Sequence, residues 1–160
     1  MSGLEIMRSA EVICSYIMKG FDMTKNCPII LCGFTSSGKT TIGKLLSERL
    51  GLPFYDTDQM LIEHYQMTIP EIFAKGGETL FRDYEHEIAR RVCTLGQSVV
   101  STGGGMLTFD RNGEILEKSG TIFYIDRPFE DCYRNLALHP ERPLFKNHTK
   151  EEIENTYLTR

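Results

Sequence analysis

The spacing of apolar residues along the chain alternates between two patterns. Short runs rich in Ile, Val, Phe and Tyr recur, and the segments between them carry apolar residues three or four positions apart. The runs are typical of β-strands and the spaced segments are typical of amphipathic helices. We therefore predict strands at 29–33, 53–55, 98–101 and 121–125.

Capping residues and glycines mark the ends of the predicted helices. Thr68 with Glu71, and Thr149 with Glu152, have the spacing of a capping box at a helix start. Gly76-Gly77 interrupts the segment after Thr68. Strands that alternate with helices predict an α/β domain with a parallel sheet. The predicted helices are 39–50 (closed by Gly51), 59–66, one starting after Thr68, 78–95, 129–138 and one starting after Thr149.

A glycine-rich loop follows the first predicted strand. Residues 33–40 read GFTSSGKT and match the phosphate-binding pattern GxxxxGK[ST] in its required strand–helix context. Lys39 adds positive charge near the β- and γ-phosphates, and the Thr40 hydroxyl can ligate Mg²⁺. The alternative is a strand–helix turn that binds nothing. We favour an ATP site, with expected contacts at Gly33, Ser36, Ser37, Gly38, Lys39, Thr40 and Thr41.

Composition restricts the class of protein further. A chain of 160 residues suits one domain with a sizeable core, and its net charge of -4 argues against a nucleic-acid partner. No apolar run reaches membrane-spanning length and no secretory signal is visible. The five cysteines form no CxxC pair, which favours reduced thiols. We expect a cytoplasmic monomer without a nucleic-acid or membrane partner.

The first 25 residues precede the strand–helix pattern. Val12, Ile13, Tyr16 and Ile17 would share one helical face, which predicts a short amphipathic helix. A misassigned start upstream of Met23 is an equally open explanation. We therefore divide the chain into an N-terminal extension, 1–25, and a single domain, 26–160.

Five motifs in order resemble the shikimate kinase family. They are GFTSSGKTT, DTD at 56–58, LFRDYE at 80–85, STGGGM at 101–106 and ERPLF at 141–145. The resemblance implies a P-loop α/β/α fold in three layers, with a central parallel sheet of strand order 2-3-1-4-5. It also implies Mg²⁺-assisted phosphorylation of the shikimate 3-hydroxyl by ATP, in aromatic amino acid biosynthesis. Because the family continues past this chain's last residue, we expect strand 5 to be missing, as in a truncated form of an active enzyme.

Two aspartates follow the second predicted strand. Asp56 lies where the carboxyl end of that strand meets the phosphate loop, so it can hold Mg²⁺ together with Thr40. Asp58 would face the substrate, orienting an acceptor hydroxyl or taking its proton. The alternative is an Asx turn at the strand end. A third carboxylate, Asp126, ends a strand in the manner of a Walker B motif, but we favour Asp56 and assign Asp126 to capping the following turn.

Arg82 lies near the start of a predicted helix, where a cation is electrostatically unfavourable. The resemblance implies that its guanidinium binds the substrate carboxylate, whereas the alternative is an ion pair with Glu78, Asp83 or Glu85. By resemblance Arg142, in a lid at about 139–149, closes over the phosphates, and Arg134 corresponds weakly to an arginine beside the adenine. The resemblance also implies that Gly103, Gly104, Gly105 and Arg160 contact the substrate. For the three glycines, the alternative is a flexible hinge.

Other functions remain open at this point. A kinase of another small hydroxy acid, such as gluconate, would share the phosphate loop but have a different acceptor site. A non-catalytic nucleotide-binding regulator would need the loop alone. The set of Lys39, Thr40, Asp56, Asp58 and Arg142 favours a catalyst with Lys39, Asp58 and Arg142 as catalytic residues.

Overall fold

A four-stranded parallel sheet forms the centre of the computed structural model, which describes residues 11–15, 26–138, 145 and 148–159. The strand order is β2-β3-β1-β4, as predicted for the first four strands of the family's sheet. Ile29 of the central strand lies opposite Val99 on one side and Thr121 on the other. The strands are β1 (Ile29–Cys32), β2 (Phe54–Asp56), β3 (Val99–Ser101) and β4 (Thr121–Tyr124).

Helices flank both faces of the sheet, and both predicted capping boxes are confirmed. The Thr68 hydroxyl accepts from the Glu71 N–H, the Thr149 hydroxyl accepts from the Glu152 N–H, and each glutamate accepts in return from the backbone of its capping residue. The helices are α1 (Lys39–Leu50), α2 (Thr57–Tyr65), α3 (Ile69–Val92), α4 (Asp110–Ser119), α5 (Phe129–Leu136) and α6 (Lys150–Leu158). In the described part of the chain, none of them is long and apolar enough to cross a bilayer.

Alternate residues of β1 point to opposite faces of the sheet and build two separate cores. Ile30 packs with residues of α2, α3 and α4, whereas Ile29 and Leu31 pack with α1. All three side chains are almost completely buried. Burial on both faces explains why β1 is a continuous apolar run rather than an alternating one.

Residues 11–15 of the predicted extension are helical and pack on the α1 side of the sheet. Ile13 is buried there, and Glu11 pairs with Arg49 at 3.3 Å. The predicted apolar face is only partly correct, because Val12 is 69% exposed. Its other two members, Tyr16 and Ile17, lie outside the described residues.

The predicted interruption at Gly76-Gly77 is confirmed as a kink within α3. Gly77 has a φ of 66°, in the left-handed region that favours glycine, and neither glycine has helical backbone angles. The helix resumes at Glu78. Arg82 and Glu85 then lie one helical turn apart on the same side, and both are buried.

One helix and one short turn were not predicted. The segment from 106 to 120 has a 3₁₀ turn, Met106–Thr108, followed by α4. Helix α4 reads DRNGEILEKS, contains a glycine and lacks a side-chain N-cap, so no local signal marks it. It buries Leu116 and the polar Asn112, whose amide donates to the Met106 carbonyl at 2.9 Å.

Candidate active site

The phosphate loop connects β1 to α1 through left-handed backbone. Gly33 and Gly38 have φ values of 144° and 99°, which a residue with a β-carbon rarely adopts. A β-carbon at Gly33 would also lie 2.6 Å from the Ile125 carbonyl oxygen. Ser36 has a φ of 62° although it is not glycine. The loop is therefore curled as the sequence pattern predicts.

Lys39 lies inside this loop rather than in solvent. It is only 6% exposed, and its Nζ donates to the carbonyls of Gly33 at 2.9 Å and Phe34 at 2.7 Å. The hydroxyls of Ser36 and Ser37 are buried without a hydrogen-bond partner among the described residues. Buried polar groups of this kind are costly unless something pairs with them, and the phosphates of a nucleotide would supply acceptors here.

Thr40 and Asp56 meet at the carboxyl end of the sheet, as predicted for a metal site. Thr40 Oγ1 donates to Asp56 Oδ2 at 2.8 Å and lies 3.4 Å from Ser101 Oγ. These oxygen atoms belong to the class that Mg²⁺ prefers. Asp126 does not cap helix α5, which has Pro128 at its N-cap and no side-chain cap bond. Its assignment to the turn before that helix stays a prediction.

The Asx turn that was the alternative role for the aspartates after β2 does form, and its acceptor is the side chain of Asp56. Asp56 Oδ1 accepts from the Asp58 N–H at 3.0 Å and caps α2. Helix α2 therefore begins at Thr57, two residues before the predicted start. This turn leaves the Asp58 carboxylate outside the capping interaction, directed towards two cavities.

Asp58 stands at the boundary between these cavities. The phosphate cavity, of about 270 Å³, is lined by loop residues including Lys39 and Thr40, and by Asp56. The acceptor cavity, of about 290 Å³, is lined by Arg82 among others. The residues that line both are Thr35, Asp58, Gly103 and Gly104.

The glycine loop after β3 packs closely against the other parts of the site. A β-carbon at Gly103 would lie 2.8 Å from Asp58 Oδ1 and 3.1 Å from Glu85 Oε1. One at Gly104 would contact Thr35, including its backbone nitrogen at 2.9 Å. The third glycine, Gly105, lines the acceptor cavity. Close approach therefore explains the glycines at 103 and 104, without appeal to a flexible hinge.

We expect Gly104→Ala to lower the melting temperature and the turnover together, because its β-carbon has no room beside the Thr35 backbone. Gly113→Ala is the matched control. Gly113 lies within α4, and a β-carbon there would meet nothing within 4 Å apart from its neighbours and the backbone of its own helix, so alanine should stabilise the fold by about 0.5–1 kcal/mol. Calorimetry measures the melting temperatures of both variants, and a kinase assay measures their turnover. A Gly104→Ala protein as stable and active as the parent would contradict the assignment.

Arg82 forms ion pairs and also lines a cavity. The ion-pair interpretation and the substrate-binding interpretation of this residue are therefore compatible. It is only 5% exposed and lines the acceptor cavity. Its Nη1 donates to Glu85 at 2.8 Å, while Nε and Nη2 donate to Glu78 at 3.1 and 2.8 Å. Burial alone would lower the pKa of Arg82, but the two glutamates outweigh it and the pKa is raised. The predicted pair with Asp83 does not form, because Asp83 pairs with Arg111.

Two residues beside Arg82 were not assigned to the site from the sequence. Glu85 is 2% exposed and lines the acceptor cavity, where it holds Arg82 in place. Phe109 places its ring 4.9 Å from the Arg82 Cζ, at a distance suited to a cation–π contact. Glu85 belongs to the FRDYE motif, so the sequence places it one helical turn from Arg82. Its burial depends on how α3 packs, which the motif does not specify.

Of the remaining arginines of the predicted site, the structure describes only Arg134. Arg142 and Arg160 lie outside the described residues, as does most of the predicted lid. Within that lid, Phe145 is described and lines the acceptor cavity. Arg134 has 72% of its side chain exposed and pairs with Asp131 at 3.5 Å. Its predicted contact with adenine stays a prediction.

Comparison with known proteins gives consistent matches. The model of the shikimate kinase family matches residues 35–160. The shikimate kinase of Caldicellulosiruptor bescii is 42% identical over 122 residues, which cover 76% of this chain and 71% of that protein. The shikimate kinase of Persephonella marina is 40% identical over 123 residues, covering 77% and 75% respectively.

Solved structures agree with these sequence matches. Shikimate kinase from Acinetobacter baumannii, in complex with shikimate, superposes with a TM-score of 0.78 at 30% identity, covering 91% of this chain and 78% of that one. Shikimate kinase from Aquifex aeolicus superposes with a TM-score of 0.68 at 36% identity, covering 82% and 78%. The predicted fold class is thereby confirmed.

Proposed function

This chain belongs to the shikimate kinase family, and from that premise we propose that it transfers the γ-phosphoryl group of ATP to the 3-hydroxyl of shikimate. The products are shikimate 3-phosphate and ADP, in aromatic amino acid biosynthesis. The observation that carries the proposal is the position of Asp58, which lines both cavities. An acceptor hydroxyl bound in one cavity can meet a phosphoryl group bound in the other.

The phosphate cavity supplies positive charge and N–H donors. We propose that the loop backbone from Gly33 to Gly38 and the start of α1, including Thr41, bind the α- and β-phosphates. Lys39 then moves its ammonium from the loop carbonyls to the β- and γ-phosphates. Arg142 would add a second cation on the transferred group, as the family resemblance implies.

We propose that Thr40 and Asp56 hold Mg²⁺ with the help of water and phosphate oxygens. Their 2.8 Å contact places two oxygen ligands side by side at the phosphate cavity. When bound, the ion neutralises negative charge on the phosphate oxygens.

Among its described residues, the acceptor cavity provides Asp58 as a candidate base and Arg82 as a candidate cation for the substrate carboxylate. We propose that Asp58 accepts a hydrogen bond from the 3-hydroxyl and takes its proton as the oxygen attacks the γ-phosphorus. The bond from that phosphorus to the bridging oxygen of ADP breaks in the same reaction. Arg82 would bind the substrate carboxylate, with Arg160 as its partner, while Gly103, Gly104 and Gly105 let the ring approach the backbone.

Arg82→Lys is expected to raise the KM for shikimate by about ten- to a hundredfold and to change kcat less. Lysine keeps the charge but cannot form the two parallel hydrogen bonds of a guanidinium. Alanine would test the same contact less cleanly, because it leaves Glu85 buried without its cation and destabilises the fold by about 3–5 kcal/mol. Steady-state kinetics with shikimate varied at saturating ATP gives the answer, and an unchanged KM would remove the assignment.

A coupled ADP-release assay with three arms tests the proposed function against its alternatives. We expect Mg²⁺- and ATP-dependent ADP release with shikimate, and none above background with gluconate or without an acceptor. Release with gluconate alone would identify a kinase of another hydroxy acid. Nucleotide binding without release in any arm would favour a non-catalytic regulator.

We further propose that the protein acts in the cytoplasm as a monomer. All five cysteines are free thiols, which suits a reducing compartment. Burial raises the pKa of the Cys32 thiol to about 11, so that thiol stays protonated and unreactive.

A further inference from the structure

Thr35 is a polar side chain at the junction of the two cavities, and the proposed function gives it no role. It lines the phosphate cavity and the acceptor cavity together with Asp58 and the glycine loop. Since Thr35 is only 5% exposed, the small surface that it retains faces these cavities. Its hydroxyl is also the atom nearest to a β-carbon placed at Gly104. The hydroxyl therefore lies beside the glycine loop, where donor and acceptor would meet.

The residues on both sides of Thr35 are held by packing and by a hydrogen bond, which keeps the Thr35 backbone at the cavity junction. Phe34 is 3% exposed and packs against the rings of Phe145 at 5.8 Å and Tyr157 at 5.2 Å. On the other side, the Ser36 carbonyl accepts from Asn135 Nδ2 at 3.3 Å. A backbone held in this way needs little reorganisation to present the Thr35 hydroxyl to a ligand, and electrostatic stabilisation depends on such preorganisation.

Phosphoryl transfer spreads negative charge over the three equatorial oxygens of the transferred group. The proposed function places that group between the phosphate cavity and Asp58, and thus next to Thr35. We infer that Thr35 Oγ1 donates a hydrogen bond to an equatorial oxygen of the γ-phosphoryl group as it moves to the acceptor. This inference rests on the proposed function and makes Thr35 a further catalytic residue. Since the hydroxyl only donates, no proton or bond is transferred at Thr35.

Two substitutions separate the hydroxyl from the methyl group. Thr35→Val keeps the shape that packs on Gly104 and removes only the donor, whereas Thr35→Ser keeps the donor and removes the methyl group. We expect Thr35→Val to lower the single-turnover rate of shikimate phosphorylation by about tenfold or more, with KM for ATP and shikimate changed less than about threefold. Thr35→Ser should retain most of the rate. The melting temperatures of both variants check that the fold is kept.

Each outcome of this experiment decides between the possible roles of Thr35. An unchanged rate in Thr35→Val would overturn the inference. A loss in Thr35→Ser equal to that in Thr35→Val would also overturn it, because the methyl packing would then be the cause. A rise in KM for shikimate at constant rate would overturn it as well, since the hydroxyl would then act in ground-state binding. Failure of the proposed function is distinguishable, since the unmodified protein would then not phosphorylate shikimate at all.

Discussion

Lys39→Ala is expected to lower the rate of phosphoryl transfer by at least about a thousandfold. The ammonium is buried in the phosphate loop, 2.9 and 2.7 Å from two loop carbonyls, and lines the phosphate cavity. No other lysine lines that cavity among the described residues. Charge developing on the γ-phosphoryl group would therefore lose its nearest cation in the described part of the chain. The measurement is kcat in the coupled assay with shikimate.

Lys44→Ala is the matched control for this substitution. Lys44 lies on the same helix, α1, but its side chain is exposed and lines neither cavity. We expect its turnover to match that of the unmodified protein. Thermal melting of both variants checks that the domain stays folded when the loop carbonyls lose their hydrogen bonds to Lys39. A Lys39→Ala protein that retains a tenth of the parent rate would rule out the proposed electrostatic role.

Asp58→Asn is expected to lower kcat by about a hundred- to ten-thousandfold while binding of ATP changes little. The amide has nearly the same shape as the carboxylate, but it cannot take a proton from the acceptor hydroxyl. Since the Asp56 side chain, and not that of Asp58, caps α2, the substitution leaves the helix start intact. Rapid-quench measurement of a single turnover isolates the chemical step from product release.

Asp126→Asn provides the comparison for Asp58→Asn and tests the rejected Walker B interpretation at the same time. Asp126 follows β4 and lines neither the phosphate cavity nor the acceptor cavity. We expect less than about a threefold change in kcat and in the Mg²⁺ dependence of the rate. A large loss in Asp126→Asn, with Asp58→Asn still active, would reverse the roles given to these carboxylates.

The sheet was predictable because its strands are marked locally. Ile29, Ile30 and Leu31 form an apolar run that ends at the phosphate loop, and both faces of the run are buried. The capping boxes at Thr68 and Thr149 fixed the starts of two helices to the residue. Helix α4 has no such marks. It is stabilised by tertiary contacts such as the burial of Leu116, which no local pattern indicates.

The site was predictable only in part, for a related reason. The phosphate loop is a local structure, so its pattern already specified the curled backbone at Gly33 and Gly38. The environment of Arg82 depends on contacts between elements that are distant in sequence, such as the ring of Phe109. The place of Thr35 at the cavity junction likewise depends on how the glycine loop packs against it. Sequence motifs identified many of the residues that line the two cavities but not their arrangement.

The misplaced start of α2 shows how one hydrogen bond changes an assignment. The sequence pattern after β2 predicts a possible Asx turn without saying which aspartate makes it. In the structure Asp56 accepts from the Asp58 N–H at 3.0 Å, so the helix begins two residues earlier. The other Asp56 oxygen accepts from Thr40, and Asp58 lines the acceptor cavity.

The proposed mechanism requires Asp58 and Arg82 to hold shikimate in a cavity that opens onto the phosphate loop. A crystal structure of the chain with ADP, Mg²⁺ and shikimate measures this most directly. We predict the shikimate carboxylate within hydrogen-bond distance of the Arg82 guanidinium and its 3-hydroxyl within hydrogen-bond distance of the Asp58 carboxylate. Shikimate bound elsewhere, or turned so that its 3-hydroxyl points away from Asp58 and the ADP phosphates, would contradict the account.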